Sequence, residues 1–278
     1  MKSPAPTVAF LGPEGTFAHL TAVKRFGKGA RLVPAPTIGG VFELVARKRA
    51  ALGIVPIENS SGGAIYETVD RLVDDRNRLM VQEALSLNVR LALLGKHPKG
   101  IRMIYSHFAP LYHCKGWIQK KYPTAEVIEQ ASTATAMQKA AATAHSAAIG
   151  NREAATRYGL KVLKFPIEQD VKNVTQFFVL GPQPSVAEDT VKTTIVFTLP
   201  NRPGSLYDFL TPFKEEDVNL TRILSRPIMG QPEAYVFLAD LSGTPRQEHV
   251  KSALAKAARA ATSLKNLGSY PVRKTFEC

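Results

Sequence analysis

Cysteine is scarce in these 278 residues: there are two, Cys114 and Cys278, beside a single tryptophan, Trp117. Two thiols cannot build a disulfide framework, so a reducing, cytoplasmic compartment is expected. Long apolar runs are missing as well, and none approaches the ~20 residues that span a bilayer. The start leads only into Val8-Ala9-Phe10-Leu11, too short for a signal-peptide core and closed by Gly-Pro instead of a small-residue cleavage site. A membrane partner is not expected. His107, His113 and Cys114 lie close together but lack zinc-ligand spacing. With no P-loop and no dinucleotide fingerprint either, no metal, nucleotide or redox cofactor is implied.

Charge of one sign is plentiful but not gathered into blocks. The formal net charge is +13, yet no five like charges are consecutive. Segment 244–278 holds seven Lys/Arg against two acids, spaced as on the outer face of a helix. Such scatter argues for a solvated basic surface, with some focusing of an acidic substrate, and against nucleic-acid binding. A 45% hydrophobic and 21% charged chain of this length can bury two ordinary cores.

The first 180 residues alternate short apolar runs with helical patterns, the rhythm of an α/β layer with mainly parallel strands. Strands are expected at 8–11, 52–57, 101–105, 127–128 and 147–149. Helices are expected from 17, over 38–49 with Thr37 as N-cap, over 64–73, 108–121 and 133–144. Gly181-Pro182-Gln183-Pro184-Ser185 reads as a linker. Beyond it the order is β-α-β-β-α-β, the ferredoxin-like arrangement.

Three stretches carry candidate chemistry, and the first two follow strand ends, where ligands bind in open α/β sheets. Gly12-Pro13-Glu14-Gly15-Thr16-Phe17 is a tight turn whose backbone N–H groups suit an anion at a helix start. Glu58-Asn59-Ser60 sets an acid, an amide and a hydroxyl side by side. Asn173-Val174-Thr175-Gln176-Phe177-Phe178 adds a hydroxyl next to aromatic surface. Ser106 and His107 also follow a strand. Singly, each is also an ordinary capped turn.

Together, in this order, the stretches resemble prephenate dehydratase, and Leu224-Ser225-Arg226-Pro227 resembles the amino-acid-binding motif of that family's C-terminal ACT domain. The resemblance covers nearly the whole chain. It implies a two-lobed, periplasmic-binding-protein-like catalytic domain over 1–182 and a ferredoxin-like ACT domain over 190–278. The implied reaction takes prephenate to phenylpyruvate, with loss of CO2 and water. Thr175, Glu58, Asn59 and Ser106 are the implied catalytic residues; Thr16, Ser60, His113, Asn173, Gln176 and Phe177 the substrate contacts. Phenylalanine is the implied effector, at Gly204, Leu206, Ser225 and Arg226, in a homodimer or homotetramer paired through the ACT domains.

The chain departs from the family pattern at several of these positions. Gln176 stands where the family has Arg, His113 where it has Gln, Ala18 where it has Ser, and Leu224 where it has Glu. Losing a charged hydrogen bond to a carboxylate typically costs ~1.5–3 kcal/mol. Gln176 is therefore expected to weaken the grip on substrate, with His113 a candidate replacement cation. The departures keep open a prephenate decarboxylase, an enzyme of a related cyclohexadienyl acid, or a non-enzymatic amino-acid sensor on the same scaffold.

Overall fold

The computed structural model describes residues 5–278 except Val171, Val186, Met229 and the side chain of Lys28. The first lobe contains β1 (Thr7–Leu11), α1 (Phe17–Phe26), β2 (Arg31–Ala35), α2 (Ile38–Ala46), β3 (Leu52–Asn59), β4 (Gly63–Ala64), α3 (Tyr66–Val73) and β5 (Met80–Asn88). The second contains β6 (Ala92–Gly95), β7 (Met103–Ser106), α4 (Phe108–His113), α5 (Lys115–Lys121), β8 (Glu126–Glu129), α6 (Thr133–Ala142), β9 (Ser146–Gly150) and β10 (Lys161–Lys164). The chain then returns to the first lobe as β11 (Val174–Gly181). A third unit follows: β12 (Lys192–Thr198), α7 (Ser205–Glu215), β13 (Leu220–Pro227), β14 (Tyr235–Ser242), α8 (Glu248–Ala260) and β15 (Ser263–Tyr270). Last comes β16 (Phe276–Glu277).

The first sheet has the order β16-β5-β11-β3-β1-β2, with β4 on β3; the second β10-β6-β9-β7-β8; the third β13-β14-β12-β15. Strand alternation divides the first sheet between two cores. Val8, Phe10, Ile54, Phe177 and Val179 face α1 and the second lobe. Ala9, Val55, Ile57, Phe178 and Leu180 face α2, α3 and the third sheet. That second core is continuous across the junction, where Phe178 meets Tyr270 edge-on with ring centroids 5.6 Å apart. Among the described residues no helix is long and apolar enough to cross a membrane.

Helix starts follow their caps. Thr16, Thr37 and Ser132 each accept a backbone N–H three residues on, at 3.0–3.2 Å, contacts typically worth ~1 kcal/mol each. Three expectations change. The helix anticipated over 108–121 is two helices broken at Cys114. The sheets are mixed, since β11 runs antiparallel to both neighbours. And the last residues leave the ferredoxin-like unit: β16 pairs with β5, and Arg273 binds Glu83 of the first sheet at 3.0 Å. Phe178→Ala is expected to cost about 3–5 kcal/mol of stability, because it empties the centre of the shared core. Denaturant unfolding measures it, and a cost below about 1 kcal/mol would mean that the junction is not packed.

Candidate active site

Two adjacent strands, β3 and β11, present the site, and a β-bulge decides what they present. Thr175 pairs with Asn59 and Gln176 with Glu58, but Phe177 pairs with Pro56, leaving Ile57 extra. Pro56 has no N–H to give the ladder. Its carbonyl accepts the Thr68 hydroxyl at 2.6 Å, and the Ile57 carbonyl accepts the Ile65 N–H at 2.9 Å. Simple alternation from Pro56 would aim Glu58 into the cleft. The extra residue shifts the parity, so Asn59 joins Thr175 there while Glu58 and Gln176 face the third sheet.

The cleft between the lobes measures about 330 Å³ and is lined by Thr16, Phe17, Asn59, His107, Thr175 and Phe177, among others. Its polar wall can be oriented atom by atom. The backbone N–H groups of Ser61 and Gly62 both donate to Asn59 Oδ1 at 3.1 Å, which fixes that amide. Asn59 Nδ2 then donates to Asn173 Oδ1 at 2.8 Å and to Thr175 Oγ1 at 2.9 Å. Asn173 Nδ2 is left facing His113 Nδ1 at 2.8 Å, so that nitrogen accepts. The imidazole is the neutral Nε2–H tautomer, donating to Ser61 Oγ, whose hydroxyl closes the ring on Asn59 Oδ1 at 2.7 Å. Burial lowers the His113 pKa and favours the same neutral form. The Thr175 oxygen is occupied by Asn59, and among the described residues its proton meets no acceptor. It remains for a ligand.

None of the described lining residues is Lys, Arg, Asp or Glu. Positive potential comes instead from the first turns of α1 and α6, where Thr16, Phe17, Ser132 and Thr133 line the cleft. Helix starts leave N–H groups without intrahelical partners and carry partial positive charge. The preceding turn serves to hold the lobes together. Glu14 pairs with Arg157, and Tyr158 Oη donates to the Glu14 carbonyl at 2.6 Å. Gly15, at φ +95°, lies so close to Tyr158 that a Cβ would sit 3.0 Å from its ring.

Residues 8–185 match the family model described as prephenate dehydratase, and residues 193–259 match the ACT domain. The chain belongs to the prephenate dehydratase family. It is 31% identical to prephenate dehydratase of Lactococcus lactis, covering 95% of this chain and 97% of that one. It is 37% identical to the bifunctional chorismate mutase/prephenate dehydratase of Pseudomonas aeruginosa, over 95% of this chain and 73% of the relative. Of solved structures, prephenate dehydratase from Arthrobacter aurescens in complex with L-Phe superposes with a TM-score of 0.87 at 29% identity, over 95% of this chain and 90% of that one. GqqA, described as a novel type of quorum-quenching acylase, superposes with a TM-score of 0.86 at 25% identity, over 96% and 98%.

The residues singled out from the family motifs divide into two groups. Thr16, Asn59, His113, Asn173, Thr175 and Phe177 line the cleft together. Glu58 and Gln176 do not; both bind Arg222 of the ACT unit. Gln176 therefore leaves no gap in a substrate grip, and neutral His113 is no replacement cation. Ser106 is fully buried and donates to the Ile149 carbonyl at 2.7 Å, beneath the cleft and not in it. Ser60 accepts from Val174 N and donates to the Lys172 carbonyl, clipping β3 to β11. The turn N–H groups of Gly12 and Gly15 are taken by the Ala35 carbonyl and His19, so they hold no anion.

Alternation also sorts the ACT residues. Arg222, Leu224 and Arg226 of β13 face the catalytic lobe, where Arg226 binds Asp70 at 2.6 Å and Leu224 packs into the shared core. Ser225 pairs with Phe237 on the opposite face. Leu206 and Phe237 share a groove of about 400 Å³, and Gly204, at φ +84°, caps the helix beside it. Ser132 and Thr133 were not anticipated in the cleft. Their signal was a Ser N-cap shortly after a strand, the position that Thr16 holds before α1.

The His113 assignment has a pH consequence. Its folded pKa lies below the ordinary 6.5, so the unfolded chain takes up the proton first and stability falls as pH drops through and below that value. His19 and His107 are lowered too, mainly by burial. The wild type is expected to lose more stability below pH 6.5 than His113→Gln, whose neutral amide cannot titrate. Nitrogen NMR should show the Nε2–H tautomer at neutral pH; an Nδ1–H imidazole would contradict the ring.

Proposed function

We propose that the cleft performs the decarboxylating dehydration of prephenate to phenylpyruvate, in phenylalanine synthesis. The observation that carries the reading is the Asn59 amide on Thr175 Oγ1, which leaves the hydroxyl proton as a donor in a cleft without charged side chains among its described lining residues. Prephenate loses its ring carboxylate as CO2. The electrons of the broken C–C bond enter the ring, and the C–O bond to the ring hydroxyl breaks. One proton is taken up to make water, and the aromatic product drives the step. Thr175 donates to the departing oxygen as charge builds on it. Phe177 and the apolar wall disfavour the ionised carboxylate and favour neutral CO2. The helix starts of α1 and α6 hold the carboxylates. The location consistent with this role and with two unpaired cysteines is the cytoplasm.

An acylase reading would need a serine activated by a base. Among the described residues the close pair is Ser61 and His113, and its proton is on the wrong nitrogen, since Nε2–H points at the hydroxyl. A sensor would not need a hydroxyl held open towards the ligand. Thr175→Val is expected to lower kcat at least about a hundredfold with KM changed less than about threefold, since its hydrogen bond strengthens as the hydroxyl leaves. Phenylpyruvate release from prephenate measures this. A fully active variant would place the chemistry elsewhere.

The same reading gives phenylalanine the groove beside Gly204, Leu206 and Ser225, completed by a second copy in a closed two-fold dimer. Arg226, which pairs with Asp70 at 2.6 Å on the face towards the catalytic lobe, is not part of this proposed contact. Millimolar phenylalanine is expected to raise the melting temperature, and Leu206→Asp to abolish the shift. No shift in either protein would leave the domain a pairing element only.

A further inference from the structure

We propose that Arg222, supplied by the ACT unit, is a positioning residue for the catalytic cleft: it holds the bulge that aims Asn59 at Thr175. The proposal rests on the dehydratase reading for its kinetic consequence only. The Arg222 side chain is 7% exposed, and four of its five guanidinium N–H groups have partners among the described residues. Nε and Nη2 donate to Glu58 Oε2 at 3.0 and 2.8 Å, and Nη2 also to Gln176 Oε1 at 2.7 Å. Nη1 donates to Asp240 Oδ2 at 2.6 Å, on an acid that is 3% exposed and also accepts from Thr194. The guanidinium carbon lies 5.5 Å from the Phe178 ring centroid.

The placement matters more than the charge. Glu58 and Gln176 are register partners, and the next pair along is Asn59 and Thr175. Arg222 grips both members of the pair between the extra residue, Ile57, and the cleft. A bulge interrupts the ladder that would otherwise fix register, so β3 could slip to the regular pairing. That slip would turn Glu58 into the cleft and Asn59 out of it. A fork of donors can hold two acceptors on neighbouring strands at once, as an ammonium on a flexible stem does poorly. Asp240 and the Phe178 face fix the fork from behind. The neutral Gln176 is suited to this place, since a second guanidinium there would compete for Glu58.

Arg222→Met keeps most of the stem's packing and removes the fork; Arg222→Lys keeps the charge. Amide hydrogen exchange of the folded proteins is the direct test and needs no substrate. Arg222→Met is expected to speed exchange at least about tenfold at Thr175 and Phe177 while β12 is unchanged, with Arg222→Lys intermediate. With prephenate, Arg222→Met should lower kcat at least about tenfold with KM within about threefold, and Arg222→Lys should recover part of it. Unchanged exchange at β11 would overturn the proposal, as would kcat within about twofold of wild type. Faster exchange with a wild type inactive on prephenate would instead overturn the dehydratase reading and leave the clamp standing.

Discussion

One extra residue, Ile57, sets the relation between the two halves of this protein. Opposite β11 it breaks the two-residue rhythm of β3, so that Val55, Ile57 and Glu58 turn to the ACT side and Pro56 and Asn59 to the cleft. Bulges commonly re-aim a side chain near an active site at the expense of local pairing. Here the lost pairing is made up from α3 and its N-cap residue, through Thr68 and Ile65, and from the ACT unit, through Arg222. The strand pair is thus read from both faces: the cleft on one, the ACT unit on the other.

The cleft handles an acidic substrate without a cationic side chain among its described lining residues. An Arg there would bind the carboxylates of substrate and product alike, and would also resist the loss of one of them as neutral CO2. Helix termini supply a weaker, diffuse field. The closed ring of Asn59, Asn173, His113 and Ser61 is likewise neutral, and its order descends from two backbone N–H groups. Because each polar side-chain atom of the ring has a partner, the ring fixes Thr175 with its hydroxyl proton still open to a ligand, and satisfied buried networks specify a single arrangement.

Much of this was legible in the sequence. The three motifs share one cleft, Thr37 caps its helix, and the unit after the linker has the expected strand and helix order. What was not legible has physical causes. β5 carries Gln82 and Glu83 in mid-strand, and Glu83 is buried only because Arg25 and Arg273 meet it from distant parts of the chain. Glu58 faces the ACT unit because of the bulge, and adjacency in a motif says nothing of parity, which a bulge changes without a local signature beyond Pro56. Gln176 and Thr175 are adjacent in a strand and so must face apart, a rule that would have placed them correctly. Ser106 matched a motif, but only the packed lobe shows its hydroxyl spent on the Ile149 carbonyl. The neutral state of His113 depends on partners for both ring nitrogens, Ser61 and Asn173, which lie far from it in the chain.

The division of β3 and β11 into a substrate face and an ACT face is tested most directly by a crystal structure of the Thr175→Val protein soaked with prephenate. The account predicts the ligand between the lobes, its ring hydroxyl beside the substituted side chain and its carboxylates at the starts of α1 and α6, with Glu58 and Gln176 still on Arg222. Density for a ligand carboxylate against Gln176, or with Glu58 turned into the cleft, would contradict it.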